Sequence, residues 1–168
     1  SLVEAHGTGT KLGDPIEVEA LIEAFQSYTD KKNYCALSSV KSNIGHLLTA
    51  AGISSVIKVL LAIKHQQIPA TLHYHNLNEH ILLERSPFYV NTKLKDWEVK
   101  EGEIRRAAIS SFGFSGTNAH LVIEEYQKTK FVPLEINELN PVLIVLSAKN
   151  SNQLKEYAEK FLVFIKQS

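Results

Sequence analysis

A chain of 168 residues with 44% apolar and 21% charged residues is long enough for one globular domain with a sizeable core. Its 18 acidic and 18 basic residues leave no net charge, which excludes a strongly basic surface for nucleic acid or an anionic membrane. The single cysteine, Cys35, excludes an internal disulfide framework and fits a cytoplasmic protein. The longest apolar segment, residues 53–63, contains polar residues and is expected to be too short to span a bilayer. The chain starts inside a motif without Met or a leader, so we expect a piece of a larger protein.

The first half of the chain predicts strand, turn and helix twice over. Residues 2–5 are expected to end a buried strand that leads into a turn rich in glycine and hydroxyl side chains. The following helix is predicted over residues 15–28, with Asp14 as its N-cap. A core strand over residues 34–40 then leads through a polar turn to an apolar helix that ends near residue 66.

The second half predicts an extended surface excursion, three short strands, a polar linker, a further strand and an amphipathic helix. In order these are the excursion 68–85, strands 88–94, 106–112 and 119–125, the linker 127–141, the strand 142–146, and a helix from its cap Ser151 to Ile165. One strand and one helix cannot build a core alone. Residues 142–168 are therefore expected to start a second unit, separate from a first domain over residues 1–126.

Three glycine-rich turns carry side chains that could perform chemistry. The first has His6, the second has Lys41 and His46, and the third contains Gly113 and Phe114. If the strands before these turns are parallel and adjacent, the turns meet at one edge of a sheet, where sites of α/β proteins form. Two neutral imidazoles can donate hydrogen bonds to a developing enolate, and a glycine-rich turn can offer a backbone N–H to an oxyanion. The pattern predicts carbonyl chemistry without naming a substrate.

Three long motifs give the chain a family resemblance. They are VEAHGTGTKLGDPIEVE at residues 3–19, VKSNIGH at 40–46 and SSFGFSGTNAH at 110–120. In this order they resemble the second half of a β-ketoacyl synthase (ketosynthase) domain of the thiolase fold, in the modular type I polyketide synthase branch. The resemblance covers residues 1–126 and implies a layered α/β fold with a mixed β-sheet and helices. The tail from Val142 resembles the flanking linker subdomain that follows the synthase.

The resemblance implies that the parent domain catalyses a decarboxylative Claisen condensation of an acyl thioester with a malonyl thioester on a carrier protein. His6 and His46 are similar to the two histidines that bind the malonyl thioester carbonyl and stabilise the enolate left when carbon dioxide departs. Lys41 resembles the lysine that supports this site electrostatically. Phe114 is similar to the gating aromatic residue whose backbone N–H completes an oxyanion hole.

Substrate binding and partners also follow from the resemblance. Thr8 and Thr10 resemble the hydroxyls that hydrogen-bond a phosphopantetheine arm, and Gly113 and Ser115 join the same binding set. No metal or directly bound cofactor is expected, because the substrates ride on the phosphopantetheine arm of an acyl carrier protein. The other implied partners are the N-terminal half of the ketosynthase, neighbouring synthase domains, and a second copy in a homodimer. No nucleic-acid or membrane partner is expected.

Two departures from the family pattern have consequences. The nucleophilic cysteine of the family lies upstream of the first motif, so this chain alone is expected to be inactive, and Cys35 is interpreted as a core residue. Leu48 stands where the family usually has a carboxylate that pairs with the lysine. Lys41 therefore either finds another acid, such as Glu19 or Glu23, or has a weakened orienting role.

Simpler interpretations stay open on the sequence alone. Phe114 could pack in the core, and Thr8 and Thr10 could cap their own turn. The remaining candidates fit solvated surfaces, namely Lys11, Lys58, Lys64, His73, His75 and His80. A zinc site on the three histidines is not expected, because no cysteine or acidic cluster completes it. The alternative functions are a non-elongating module that transfers acyl chains or docks carrier protein, and a stand-alone fatty acid synthase.

Overall fold

The computed structural model describes residues 1–127 and 143–167, and the chain divides into two compact units, Ser1–Gln127 and Lys128–Ser168. The strands in the described residues are β1 Leu2–Glu4, β2 Cys35–Ser38, β3 Gln67–Ile68, β4 Phe88–Val90, β5 Lys95–Asp96, β6 Arg106–Phe112 and β7 Asn118–Glu124. The helices are α1 Gly13–Gln26, α2 Lys41–Ile44, α3 Ala51–His65 and α4 Ser151–Gln167, and a 3-10 turn covers Leu48–Ala50.

Five strands of the first unit form one mixed sheet in the order β4-β2-β1-β6-β7. Strands β4, β2, β1 and β6 are parallel neighbours, whereas β7 pairs antiparallel with β6. In this register Glu4 of β1 lies opposite Ser38 of β2 and Ile109 of β6. The strands before the three predicted turns are β1, β2 and β6, which are adjacent and parallel. Their turns therefore leave the sheet at one edge.

Helices cover both faces of this sheet, because successive strand residues point to opposite sides. Leu2 packs in one core cluster with Val59 of α3. Val3 and Cys35 pack in the other core cluster with Val18 of α1. Cys35 is fully buried, so its interpretation as a core residue is confirmed. The predicted α/β class with a mixed sheet and helices is also confirmed.

Helix α3 and the 3-10 turn before it form the stretch Leu48–His65, which is long and apolar enough to cross a membrane by length and composition alone. Residues 53–63 alone were expected to be too short. In the structure Val59 and Ala62 of α3 are buried against the sheet. This packing is that of a core helix with one covered face.

Three local features of the first unit differ from the sequence predictions. The predicted polar turn at residues 40–46 contains the short helix α2, in which the Gly45 N–H bonds to the Lys41 carbonyl at 3.0 Å. Asp14 lies inside the first turn of α1 instead of capping it, because its carboxylate accepts the N–H of Gly9 at 3.1 Å. The ribbon of β3 and β5 was missed, since strands of two residues leave no alternation to detect.

The helix predicted in the second unit is confirmed as α4, but its cap is different. The side-chain oxygen of Asn150 accepts the N–H of Gln153 at 2.9 Å. Asn150 is therefore the N-cap, and Ser151 is the first helical residue.

The strand predicted over residues 142–146 is wrong for residues 143–146, which the structure describes without a strand and with exposed apolar side chains. A strand needs a neighbour to accept its backbone hydrogen bonds, and an apolar run cannot reveal whether that neighbour is present. Residue 142 and, apart from residue 127, the predicted linker 127–141 lie outside the described residues.

Candidate functional site

The loop after β1 places His6 at the edge of the sheet. Glu17 of α1 accepts the backbone N–H of His6 at 2.7 Å and that of Gly7 at 2.9 Å, which fixes the loop to the helix. Burial raises the pKa of the Glu17 carboxyl, and these two N–H groups oppose the rise. Gly7 has φ of 45°, and a Cβ there would lie 2.8 Å from Cβ of Ser39. Glycine is therefore required where the first loop crosses the second.

Lys41 joins the second turn to the first. It begins α2, and its Nζ donates a hydrogen bond to the His6 carbonyl at 2.5 Å. Burial, followed by the charges of Lys41 and His46, lowers the pKa of His6, and the charge of Asp14 opposes this. Lys41 thus both holds the backbone of His6 and disfavours the charged form of its ring.

The acids near Lys41 are not the ones expected from the sequence. Glu19 and Glu23 are exposed on α1, so the expectation that one of them pairs with Lys41 is wrong. Burial lowers the pKa of Lys41, and three carboxylates oppose this effect, namely those of Glu4, Glu17 and Asp14. The sequence could not identify these acids. One lies at the end of β1 and two lie in the first turns of α1, and only the folded chain brings them near Lys41.

The two histidines lie together, with ring centroids 5.7 Å apart and ring planes at 87°. The Nδ1 atom of His46 accepts the N–H of Leu48 at 3.0 Å, and the Nδ1 atom of His6 accepts the N–H of Phe112 at 3.3 Å. A backbone N–H can only donate, so each Nδ1 carries no proton. Each neutral ring therefore carries its proton on Nε2, the atom left to bind a ligand.

The third turn reaches the histidines through Phe112 rather than through Phe114. The Phe112 ring lies 5.6 Å from the His6 ring, whereas Phe114 is fully exposed, at 108%. The interpretation of Phe114 as a core residue is thereby excluded. The Gly113 N–H is bonded across the turn to a threonine carbonyl at 2.8 Å, and Ser115 is exposed. Phe112 was missed as a site residue, although its place at the end of a strand before a glycine-rich turn was a usable signal.

The hydroxyl oxygens of Thr8 and Thr10 in the first turn lie 3.3 Å apart. Thr10 also accepts the N–H of Gly13 at 3.1 Å, so its turn-capping contact is present. Both threonines line a cavity of about 770 Å³, together with Lys41 and residues 71–81 of the excursion. The cavity begins where the first two turns meet.

The residues expected on solvated surfaces divide into two groups. Lys58 is a correction, because its Nζ lies 2.8 Å from Oε2 of the fully buried Glu4 and its side chain is only 10% exposed. The others are exposed, as expected: Lys11, Lys64, His73, His75 and His80. Within residues 1–127 and 143–167, no group of three or more His, Cys, Asp or Glu side chains could hold a metal ion.

Comparison with known proteins assigns the chain to a family. The family model described as "Beta-ketoacyl synthase, C-terminal domain" matches residues 1–75, and "Ketoacyl-synthetase C-terminal extension" matches residues 78–166. The chain belongs to the β-ketoacyl synthase family. The resemblance carried by the three motifs is thereby confirmed.

This ketosynthase chain is similar to segments of polyketide synthases. It is 56% identical over 165 residues to polyketide synthase PksL of Bacillus subtilis, covering 98% of this chain and 4% of that protein. It is 42% identical over 168 residues to the pikromycin polyketide synthase component PikAII of Streptomyces venezuelae, covering 99% of this chain and 4% of that protein. The chain therefore spans a small fraction of these curated relatives.

A solved structure shares the fold. The ketosynthase from module 6 of the bacillaene synthase from Bacillus subtilis 168 is 55% identical, with a TM-score of 0.76, and the match covers 100% of this chain and 28% of that chain. The predicted thiolase-like fold class is confirmed by this similarity.

Proposed function

We propose that this chain supplies the decarboxylating and enolate-binding part of a polyketide synthase ketosynthase, which condenses an acyl thioester with a malonyl thioester on a carrier protein. The observation that carries the proposal is the pair of histidines whose Nδ1 atoms both accept backbone N–H groups. Their Nε2–H groups are left as two neutral donors beside each other. The relatives named as polyketide synthases and ketosynthases support the same function.

In the proposed reaction, the thioester oxygen of the malonyl unit accepts hydrogen bonds from Nε2 of His6 and of His46. The bond to the carboxylate breaks, its electron pair enters the enolate, and carbon dioxide leaves. The enolate carbon attacks the acyl thioester carbonyl on a cysteine elsewhere in the domain, forming a carbon–carbon bond and releasing the thiolate. Neutral donors suit this step, because they stabilise the enolate oxygen without readily protonating it.

Lys41 and Phe114 are proposed to support this chemistry in different ways. Lys41 holds the His6 carbonyl, and its charge helps to keep His6 neutral by lowering the pKa of the ring. Phe114 is proposed to gate the site, with its backbone N–H in the oxyanion hole that binds the acyl thioester. Its complete exposure supports a role outside the core.

The phosphopantetheine arm is proposed to bind along the first and third turns. Thr8 and Thr10 line the cavity beside Lys41, which supports a hydrogen-bonding role for their hydroxyls. Gly113 is proposed to shape the third turn through its bonded N–H, and Ser115 to offer an exposed hydroxyl. No cofactor other than this arm is proposed.

The partners of the chain are part of the proposal. They are an acyl carrier protein, the N-terminal half of the ketosynthase, neighbouring synthase domains and a second copy in a homodimer, all in the cytoplasm. Large apolar side chains on the outer side of α3 support a covering partner, since Ile53, Ile57 and Leu60 are each half or more exposed. We further propose that residues 1–126 belong to the ketosynthase domain and residues 142–168 to its flanking subdomain, joined by a linker at 127–141. The two compact units support this division.

We propose that these 168 residues alone condense nothing. Their single cysteine, Cys35, is fully buried, and burial raises the pKa of its thiol to about 11. A thiol of this kind is a poor nucleophile. Condensation by the isolated chain, supplied with acyl and malonyl carrier thioesters, would contradict this expectation.

The test of the proposed function uses His6→Ala and His46→Ala in the intact ketosynthase, with His65→Ala, exposed at the end of α3, as a matched control. Each of the first two variants is expected to lower the rate of malonyl decarboxylation by about a hundredfold or more, since each removes one donor to the enolate. The control is expected to retain the rate. Unchanged decarboxylation in both site variants would refute the proposal. A wild-type enzyme that accepts acyl chains without decarboxylating malonyl thioester would instead favour the non-elongating module.

A further inference from the structure

Glu4 is a fully buried carboxylate at the end of β1, two residues before His6. Its Oε1 atom accepts a hydrogen bond from the N–H of Val40. Its Oε2 atom accepts the Ser38 hydroxyl at 2.6 Å and the Lys58 Nζ at 2.8 Å. Lys58 also donates to the Ser38 hydroxyl at 3.1 Å, so the three side chains form a closed network.

The contacts of Glu4 come from two other segments of the site, the end of β2 with Ser38 and Val40, and α3 with Lys58. Val40 directly precedes Lys41, whose Nζ holds the His6 carbonyl. Lys58 lies in α3, the helix that follows His46. One carboxylate on the strand that leads to His6 is therefore bonded to the residue before Lys41 and to the helix that follows His46.

Stability alone is a weak explanation for such a pair. Removing two charges from water offsets most of their attraction, and apolar side chains of similar size often serve a core equally well. The pair fixes the relative positions of the elements that it joins, because each oxygen of Glu4 accepts a hydrogen bond from a fixed donor. The best attested use of a buried polar pair is to select one arrangement among several.

We propose that the Glu4–Lys58 ion pair is a positioning device for the decarboxylation site. It sets the distance between the His6 and His46 rings by tying α3 to the end of β1, and it holds the start of α2 through Val40. Glu4 and Lys58 act through the histidines and do not touch the substrate. The inference rests on the proposed function, because decarboxylation is the step that needs both rings in place.

The test compares Lys58→Met, Glu4→Gln and the double variant in the intact ketosynthase. Lys58→Met removes the ion pair that joins α3 to β1. Glu4→Gln replaces one accepting oxygen by an amide NH₂, which then faces a hydrogen-bond donor instead of accepting from it. Both single variants are expected to lower kcat for malonyl decarboxylation by about tenfold to a hundredfold, with KM changed less than about twofold, since small misplacement of catalytic groups has effects of this size. The double variant is expected to recover stability without recovering kcat.

A second readout does not depend on activity. Amide hydrogen exchange measured by mass spectrometry is expected to become faster in Lys58→Met by a larger factor for residues 40–48 than for residues 106–112, because lower global stability affects both segments and the lost tie affects only the first. The matched control is Glu125→Gln, which breaks a partly buried pair with Arg105 whose N–O distance is also 2.8 Å. This control is expected to leave kcat and the exchange of residues 40–48 unchanged.

The outcomes separate the two proposals. Wild-type kcat in the double variant would show that the pair is only a stability element and would overturn the inference. If the wild-type enzyme does not decarboxylate malonyl thioester, the proposed function fails and exchange alone decides the positioning role. An increase in exchange at residues 40–48 no larger than that at residues 106–112 in Lys58→Met would then overturn that role as well.

Discussion

Replacing Lys58 by methionine is expected to destabilise the intact ketosynthase by about 3–5 kcal/mol, because it leaves a buried carboxylate without its counter-ion. The Nζ of Lys58 lies 2.8 Å from Oε2 of Glu4, and the two side chains are 10% and 0% exposed. At this distance, Coulomb's law with an effective dielectric constant of about 20 gives an attraction of roughly 6 kcal/mol. Desolvation offsets most of it, so the whole pair contributes little while the single substitution is costly.

The measurement is urea unfolding of the intact domain, followed by tryptophan fluorescence. The double variant Glu4→Gln/Lys58→Met is expected to recover most of the loss, since it removes both charges. Arg106→Met serves as the comparison, because its ion pair with Glu124 has side chains 59% and 61% exposed. Exposed pairs of this kind contribute about 0–1 kcal/mol. If Lys58→Met costs no more than Arg106→Met, the reasoning from burial is refuted.

Three further predictions concern protonation, reactivity and backbone shape. The lowered pKa of His6 predicts that protonation of this ring slows decarboxylation at a lower pH than an ordinary histidine would. Lys41→Met removes a charge that lowers this pKa, so the acidic limb that belongs to His6 should move to higher pH, and a shift to lower pH would contradict the assignment. Cys35 should resist alkylation at pH 8 in the folded domain and react after unfolding, because its thiol is fully buried with a pKa of about 11; peptide mass spectrometry tests this, and equal rates in both states would refute it. Gly7→Ala should destabilise the domain more than Gly9→Ala in urea unfolding, since both positions have positive φ but only at Gly7 would a Cβ lie 2.8 Å from another side chain; equal losses would show that conformation alone decides the cost.

The three glycine-rich turns at one edge of the sheet could be predicted from the sequence, because each follows a short apolar strand. The residues that hold these turns in place could not. Glu4 lies 54 positions from Lys58, so neither local spacing nor periodicity relates the two. Leu48 was noted only for its side chain, yet its N–H fixes the proton position of His46. Backbone donors of this kind are invisible in a sequence, since every residue except proline has one.

The choice of the α4 cap shows a different limit. Asn150 and Ser151 are adjacent and are both good N-cap residues, so propensity cannot choose between them. The residue at which the helix begins decides which of the two is the cap, and that start is fixed only when the chain folds. The strand predicted just before it failed for a related reason, because apolar content predicts burial only where a neighbouring strand is available.

The contact between Phe112 and His6 spans 106 positions of the chain. Loop closure over such a distance is entropically costly, and contacts of this separation tend to form late in folding. Until β6 pairs with β1, no N–H from Phe112 faces the His6 ring, and either ring nitrogen can carry the proton. The tautomer of His6 is therefore a product of tertiary folding, and during synthesis it can be set only after the ribosome has released residue 112.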